Sequence, residues 1–189
     1  MRTPERLVVA ITGLGQALQP KEKVGLEKLL KRCSTEIPET WTALFRWNHN
    51  VADLTRRLLR FRCHWPAAPA YLVGFSYGGM TAATVSRKLY SQGVFTKGLF
   101  LVDAVWRPWQ YRPSLLSTRG RGKLKISAGV NNLYTWRQDE TYLRGAEIVL
   151  DDRDMTDWFV NRWIEDVAHT EIDSLQEIHN SIISEIKND

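Results

Sequence analysis

The segment AYLVGFSYGGM places a serine between a short apolar run and a run of small residues. The apolar run at residues 70–75 predicts a buried strand, and residues 78–90 predict a tightly packed helix. A serine on so sharp a turn has a strained backbone, and Gly74 and Gly78 keep colliding side chains away from it. The turn projects the Ser76 hydroxyl out of the sheet, beside the positive end of the helix dipole. Ser76 is therefore a candidate nucleophile, and a glycine turn that only permits close packing is the alternative.

Strands and helices alternate along the rest of the chain. Further strands are predicted at residues 6–12, 41–47, 95–103, 130–138 and 146–150, and further helices at residues 21–33, 51–61 and 174–187. This alternation predicts an α/β fold, a three-layer α/β/α sandwich with a mainly parallel sheet. Sites in such sheets lie at the carboxyl ends of the strands, which directs attention to residues 12–16, Ser76 and Asp103. The segment WFVNRW is expected to be an amphipathic helical stretch in which Trp158 and Trp163 are core anchors.

Length and composition place the chain among ordinary globular proteins. Its 189 residues, 43% hydrophobic and 25% charged, predict a single domain over residues 1–189. The apolar runs are too short to span a bilayer, and the N-terminal run enters a glycine turn without a signal-peptide cleavage pattern. Cys33 and Cys63 form neither a disulfide framework nor a metal-binding spacing. We therefore expect a reducing, cytoplasmic location.

Charge is distributed unevenly along the chain. Residues 54–138 carry 14 basic groups and one acidic group, whereas residues 139–189 carry 4 basic and 14 acidic groups. The basic segment 107–125 is expected to be solvated or to dock an acidic partner, such as nucleic acid or an acidic protein. Aromatic residues and prolines around residues 105–125, including Trp106, Trp109 and Tyr111, indicate a short cap over a cleft.

Asp103 is the only carboxylate between Asp53 and Asp139, and it closes the apolar run LFLV. A carboxylate at the end of a buried strand is costly to desolvate unless it is paired. A partner such as His169 would explain its position, and a simple strand-end cap is the alternative.

The strand, the Gly-x-Ser-x-Gly turn and the following helix resemble the α/β-hydrolase superfamily, in a minimal form close in size to the smallest bacterial lipases. In that superfamily an acid and then a histidine follow the nucleophile along the chain. The resemblance implies that His169, on the loop before the last helix, is the base, with His179 inside that helix as the alternative. It also implies Asp103 as the acid, as in peptide-synthetase thioesterase domains. Most members take the acid after the next strand, where Asp139 is the alternative.

The same resemblance implies an oxyanion hole made of two backbone amides, those of Tyr77 and Leu14. Leu14 belongs to a turn, TGLG, that resembles the His-Gly-x-Gly turn of small lipases, with Thr12 in place of the histidine. The expected activity is hydrolysis of a carboxylic ester or thioester through an acyl-enzyme on Ser76, without a metal or cofactor. The alternatives are a serine acyltransferase or peptidase that uses the same groups, and a non-catalytic binding protein of the same fold.

Overall fold

The computed structural model describes residues 3–14, 16, 24–106, 123–138, 145–151 and 156–189. The strands in this part of the chain are β1 (Arg6–Ile11), β2 (Thr40–Phe45), β3 (Ala70–Phe75), β4 (Thr96–Val102), β5 (Lys123–Ile126), β6 (Val130–Arg137), β7 (Glu147–Leu150) and β8 (Trp158–Trp163). The helices are α1 (Gly25–Glu36), α2 (Val51–His64), α3 (Tyr77–Tyr90), a 3-10 helix (Ile172–Ser174) and α4 (Gln176–Lys187).

Six of these strands form one sheet in the order β2-β1-β3-β4-β6-β8, and each neighbouring pair is parallel. A helix follows each of β1, β2 and β3, which is the crossover that parallel pairing requires. The carboxyl ends of the strands therefore share one edge of the sheet. The predicted mainly parallel sheet is confirmed.

Helices cover both faces of this sheet. In β1, Leu7, Val9 and Ile11 pack into a core with residues of α2 and α3, because alternate side chains of a strand point to the same face. The intervening Val8 and Ala10 pack into a second core with residues of α1 and α4. The three-layer α/β/α arrangement is thus confirmed, and both faces of β1 are apolar because both are buried.

The expectation of a helical stretch with core anchors at residues 158–163 is wrong. This segment is strand β8, paired with β6 from Asn132↔Trp158 to Arg137↔Trp163. Aromatic and β-branched residues favour a strand, and pairing with β6 satisfies one side of the backbone. Trp158 is 59% exposed and Trp163 is 54% exposed, so neither is a core anchor. The Arg137 guanidinium lies 4.3 Å from the centre of the Trp163 ring.

Other segments also differ from their predictions: α2 ends at His64 and not at residue 61, and β2 ends at Phe45 and not at residue 47. The first helix ends at Glu36, three residues beyond the predicted end, while residues 21–23 lie outside the described residues. Residues 123–125, predicted as part of the basic segment 107–125, belong to β5, which pairs in parallel with β7 in a separate two-stranded sheet. The rest of the predicted cap, residues 107–122 with Trp109 and Tyr111, lies outside the described residues. Among the helices of the described ranges, none is both long and apolar enough to cross a bilayer.

The two cysteines differ in their exposure. Cys33 is 0% exposed in α1, and burial raises the pKa of its thiol to about 12, whereas Cys63 is exposed. Because only the thiolate reacts readily, we expect a chromogenic disulfide reagent to modify one thiol per folded chain near pH 8, and both after denaturation. The variant Cys63→Ser should show no fast-reacting thiol when folded. A fast-reacting thiol in that variant would contradict the placement of Cys33 in the core.

Candidate active site

Ser76 lies between β3 and α3, at the carboxyl edge of the sheet. Its backbone has φ 54° and ψ −123°, a combination that L-residues with a side chain rarely adopt. The surrounding backbone holds it there, since the Ser76 N–H donates to Val102 O at 3.1 Å and the Ser76 carbonyl accepts from Gly79 N and Val105 N, each at 3.0 Å. A rigid turn therefore fixes the direction of the Ser76 hydroxyl.

The glycines on either side of Ser76 permit a close approach of backbone segments. A Cβ added at Gly74 would lie 2.6 Å from Gly79 Cα, and one at Gly78 would lie 2.1 Å from the carbonyl oxygen of Ile11. Both distances are far below a van der Waals contact. The role predicted for Gly74 and Gly78, to remove colliding side chains, therefore has a specific physical cause in the packing of α3 on β1 and β3.

The substitution Gly78→Ala is expected to lower the free energy of unfolding by about 3 kcal/mol or more, because the new methyl group meets rigid backbone. Helix propensity alone would favour alanine by about 1 kcal/mol. A lower free energy of unfolding in Gly78→Ala would therefore come from the collision of the new methyl group with the Ile11 carbonyl. Gly93→Ala is the matched control. It has φ +75° and open space around its Cβ position, so it should lose only about 1–2 kcal/mol. Urea unfolding measures both, and equal losses would contradict this account of Gly78.

Asp103 lies directly after β4 at the same edge of the sheet. It is 0% exposed and has φ 41°, and its N–H donates to the carbonyl of Trp136 at 2.7 Å. Its carboxylate accepts hydrogen bonds from Gln138 Nε2 to Oδ2 at 2.7 Å and from the Gln138 N–H to Oδ1 at 3.4 Å. The carboxylate is thus buried and held by its neighbours, as a charge in the interior requires.

His169 completes the cluster from the loop between β8 and the 3-10 helix. Its Nδ1 lies 2.6 Å from Asp103 Oδ2, and its Nε2 lies 2.9 Å from Ser76 Oγ. The imidazole is 6% exposed and stacks on the Phe75 ring with 5.0 Å between the ring centres. Because a carboxylate can only accept, the proton belongs on Nδ1, which leaves Nε2 free to accept from the Ser76 hydroxyl. The structure therefore brings together the serine, histidine and aspartate that the sequence singled out.

The alternative residues lie elsewhere. His179 is buried in α4, where its Nε2 donates to the carbonyl of Asp173 at 2.8 Å, and burial lowers the pKa of its imidazole. His49 fails the expected order as a base because it precedes Ser76 along the chain, and its half-buried side chain places Nε2 3.0 Å from Asp53 Oδ2. Asp139 lies outside the described residues. Of the described histidines, only His169 contacts Ser76.

The predicted oxyanion turn lies against the nucleophile. A Cβ added at Gly13 would lie 2.9 Å from Ser76 Cβ, so this glycine is needed for the close approach. Leu14 follows it with a side chain 49% exposed, and Tyr77, half-buried, is the first residue of α3. Tyr77 thus follows Ser76 directly along the chain, and Gly13, the neighbour of Leu14, lies in tight contact with Ser76, while Gly15 lies outside the described residues.

Gln138, which contacts the Asp103 carboxylate, is not among the residues predicted from the sequence. Gln138 follows β6, so the rule that sites lie at the carboxyl ends of strands points to it. A glutamine side chain nevertheless has no characteristic sequence motif, so the sequence alone does not identify Gln138 as part of a site. It matters here because it supplies two donors to a buried carboxylate. The Gln16 side chain, which contacts the Gly13 backbone, was likewise not singled out within residues 12–16.

Comparison with known proteins agrees with this architecture. Residues 6–176 match the model of the Alpha/beta hydrolase family. No curated protein sequence matches the chain. Among solved structures, the NocB thioesterase domain from the nocardicin cluster is similar, with a TM-score of 0.52 and 16% identity over 97% of this chain and 95% of that one.

Two further solved structures are similar to the chain. The RedJ thioesterase of the prodiginine pathway of Streptomyces coelicolor has a TM-score of 0.55 and 10% identity, over 98% of this chain and 90% of that one. An uncharacterized protein from Bacillus cereus has a TM-score of 0.57 and 15% identity, over 100% of this chain but 60% of that one. At these identities the likeness shows a shared fold, and it leaves the chemistry to be argued from the residues.

Proposed function

Because the chain belongs to the α/β-hydrolase family, we propose that it is a serine hydrolase that cleaves a carboxylic ester or thioester through an acyl-enzyme on Ser76. The observation that carries this proposal is the continuous, buried hydrogen-bonded series from Ser76 Oγ through His169 to Asp103, with contacts of 2.9 and 2.6 Å. These are the distances over which a base removes the proton of a nucleophile while a carboxylate orients the base.

The first half of the reaction forms the acyl-enzyme. His169 Nε2 takes the Ser76 proton as Oγ attacks the acyl carbonyl carbon, and the carbonyl electron pair moves onto its oxygen. Asp103 holds the imidazole by Nδ1 and stabilises the imidazolium that forms. When the tetrahedral intermediate collapses, the bond to the alcohol or thiol breaks and Nε2 returns the proton to the leaving group.

The second half regenerates Ser76. Water donates a proton to His169 Nε2 as its oxygen attacks the acyl carbon, and collapse of the second tetrahedral intermediate releases the acid. Nε2 then gives the proton back to Ser76 Oγ. The backbone amides of Leu14 and Tyr77 are the proposed donors to the oxyanion in both halves. One such donor typically contributes about 10²–10³-fold to turnover.

A non-catalytic binding protein is one alternative function, and a serine acyltransferase or peptidase that uses the same groups is the other. The strained backbone of Ser76 and the burial of the Asp103 carboxylate both oppose stability. Such features persist where chemistry needs them and are not required for docking a partner. The geometry at Ser76 therefore favours the enzyme.

An oxygen ester and a thioester of one acyl chain test the proposal, because both pass through the same acyl-enzyme. The expected result is hydrolysis of both, with a burst of the first product and the same kcat wherever hydrolysis of the acyl-enzyme limits turnover. Acetyl and hexanoyl pairs cover two chain lengths. Failure to hydrolyse either kind of substrate by the folded protein, with no burst, would contradict the proposal.

A further inference from the structure

A second buried polar network lies behind the turn that carries Leu14. Gln16 is 7% exposed, and its side-chain amide bridges two partners. Its Oε1 accepts the Gly13 N–H at 2.9 Å, and its Nε2 donates to Asp173 Oδ2 at 2.7 Å. The relay from Ser76 to Asp103 uses none of these groups, so the network has no part in the proton transfers described above.

Asp173 is the anchor of this network. It is 2% exposed, and besides Gln16 it accepts hydrogen bonds from the backbone amides of Gly25 and Leu26. Those amides begin α1, whose N-cap residue Val24 has no side-chain acceptor for them. Burial raises the pKa of the Asp173 carboxyl, and the hydrogen bonds from Gln16 and the two amides oppose that rise. A carboxylate so enclosed has little freedom to move.

The same residue is tied to the loop that carries His169. Asp173 lies in the 3-10 helix Ile172–Ser174, which starts three residues after His169. Its carbonyl oxygen accepts a hydrogen bond from His179 Nε2 at 2.8 Å, which attaches this helix to α4. Asp173 therefore joins the base loop, the start of α1 and the Gly13 turn in one buried cluster.

The chemistry of the two groups determines which way the Gln16 amide points. A carboxylate can only accept hydrogen bonds, so it selects the NH₂ end of the Gln16 side chain. The carbonyl end then faces the Gly13 N–H, which can only donate. This bond engages the Gly13 amide, and the next amide along the turn is that of Leu14.

We propose that Asp173, acting through Gln16, is a positioning residue that holds the turn from Gly13 to Leu14 in place to donate to the oxyanion. This inference rests on the proposed function, since it assigns Gln16 and Asp173 to the support of the same site. The turn adjoins Ser76 so closely that a Cβ at Gly13 would meet Ser76 Cβ at 2.9 Å. A small displacement of the turn therefore moves an oxyanion donor relative to the attacked carbonyl, where hydrogen-bond geometry decides the rate.

Three variants test the proposal. Gln16→Leu removes both hydrogen bonds at similar side-chain volume and leaves Asp173 on α1. Gln16→Glu sets two carboxylates against each other. Gln16→Glu combined with Asp173→Asn reverses the polarity, because the new asparagine amide can donate to the new glutamate, whose second oxygen still accepts the Gly13 N–H.

Steady-state hydrolysis of a p-nitrophenyl ester, measured well below each unfolding transition, gives kcat and KM. We expect Gln16→Leu and Gln16→Glu to lower kcat by about 10-fold or more with KM changed less than about twofold, and the double variant to recover most of the loss. Thr96→Val is the matched control, since it removes a buried hydrogen bond, the 2.8 Å contact with Ser86, at the opposite end of β4 from Asp103. It should lower stability and leave kcat unchanged.

The outcomes separate this inference from the proposed function. Full kcat in folded Gln16→Leu, or a folded double variant that recovers none of the activity lost by Gln16→Glu, would overturn the role of Asp173 and Gln16 alone. A folded wild-type protein that neither hydrolyses esters nor reacts with a fluorophosphonate would overturn both, because there would be no oxyanion for the turn to bind. If the double variant fails to fold, Gln16→Leu decides the question.

Discussion

The variant Ser76→Ala is expected to lower kcat for ester hydrolysis by roughly 10⁴–10⁶-fold, because it removes the only atom that forms the acyl-enzyme. The methyl group fits the space of the hydroxymethyl group, and the hydrogen bonds of the residue 76 backbone remain. Thermal unfolding should therefore stay close to that of the wild type. The measurement is initial-rate hydrolysis with the burst recorded alongside.

Ser86→Ala is the control for this experiment. It removes a buried serine hydroxyl from α3, the helix that follows Ser76. This hydroxyl is hydrogen-bonded to Thr96 at the start of β4, away from the site. It should retain the wild-type kcat despite some loss of stability. If Ser76→Ala kept more than about one part in a hundred of the wild-type activity, that result would contradict the assignment of Ser76 as the nucleophile.

The second large effect is expected at Asp103. Asp103→Asn should lower kcat by about 10⁴-fold, because an amide can donate a hydrogen bond to His169 Nδ1 and so stabilise the tautomer protonated on Nε2. That tautomer cannot accept the Ser76 proton. The amide would also face the Gln138 Nε2 group, which now donates to Asp103 Oδ2 at 2.7 Å. A loss of stability should therefore accompany the loss of activity.

Asp139→Asn is the natural comparison, since Asp139 is the alternative acid by sequence. We expect it to keep wild-type kcat. If instead Asp139→Asn were inactive and Asp103→Asn active, the acid would be Asp139, after β6, and not Asp103. Equal partial losses in the two variants would also contradict a single acid at Asp103.

The local part of the site could be predicted because it depends on a local pattern. An apolar strand, two glycines around a serine and a run of small residues specify the turn at Ser76 without knowledge of distant residues. Asp103 also stands out locally, as a lone carboxylate at the end of an apolar strand. The contact of Ser76 and Asp103 with His169 does not follow from any local sequence pattern. His169 lies 93 residues from Ser76, and only the fold brings the two side chains to 2.9 Å.

The supporting residues could not be predicted in this way. Gln138 and Gln16 are neutral amides whose importance depends on the groups opposite them, and Asp173 is one of several acidic residues in an acidic C-terminal segment. Nothing in its local sequence shows that it is buried against the start of α1. Three-dimensional contacts alone distinguish it from a solvated carboxylate.

The sequence WFVNRW wrongly predicts a helix because its spacing is ambiguous. Aromatic residues at positions 158, 159 and 163 fit one face of a helix, and the same segment has the aromatic and β-branched composition of a strand. Its side chains are mostly exposed, so the usual alternation of buried and exposed positions is missing. Pairing with β6 decided the outcome, and this pairing is a tertiary effect.

The most direct test of the central claim is mass spectrometry of the intact protein after treatment with a fluorophosphonate. The phosphonyl group mimics the tetrahedral intermediate and reacts with a serine that an adjacent histidine activates. We expect one phosphonyl group per chain, mapped to Ser76 in peptides, and none in His169→Ala. No adduct on the folded wild-type protein, or an adduct on a residue other than Ser76, would contradict the central claim.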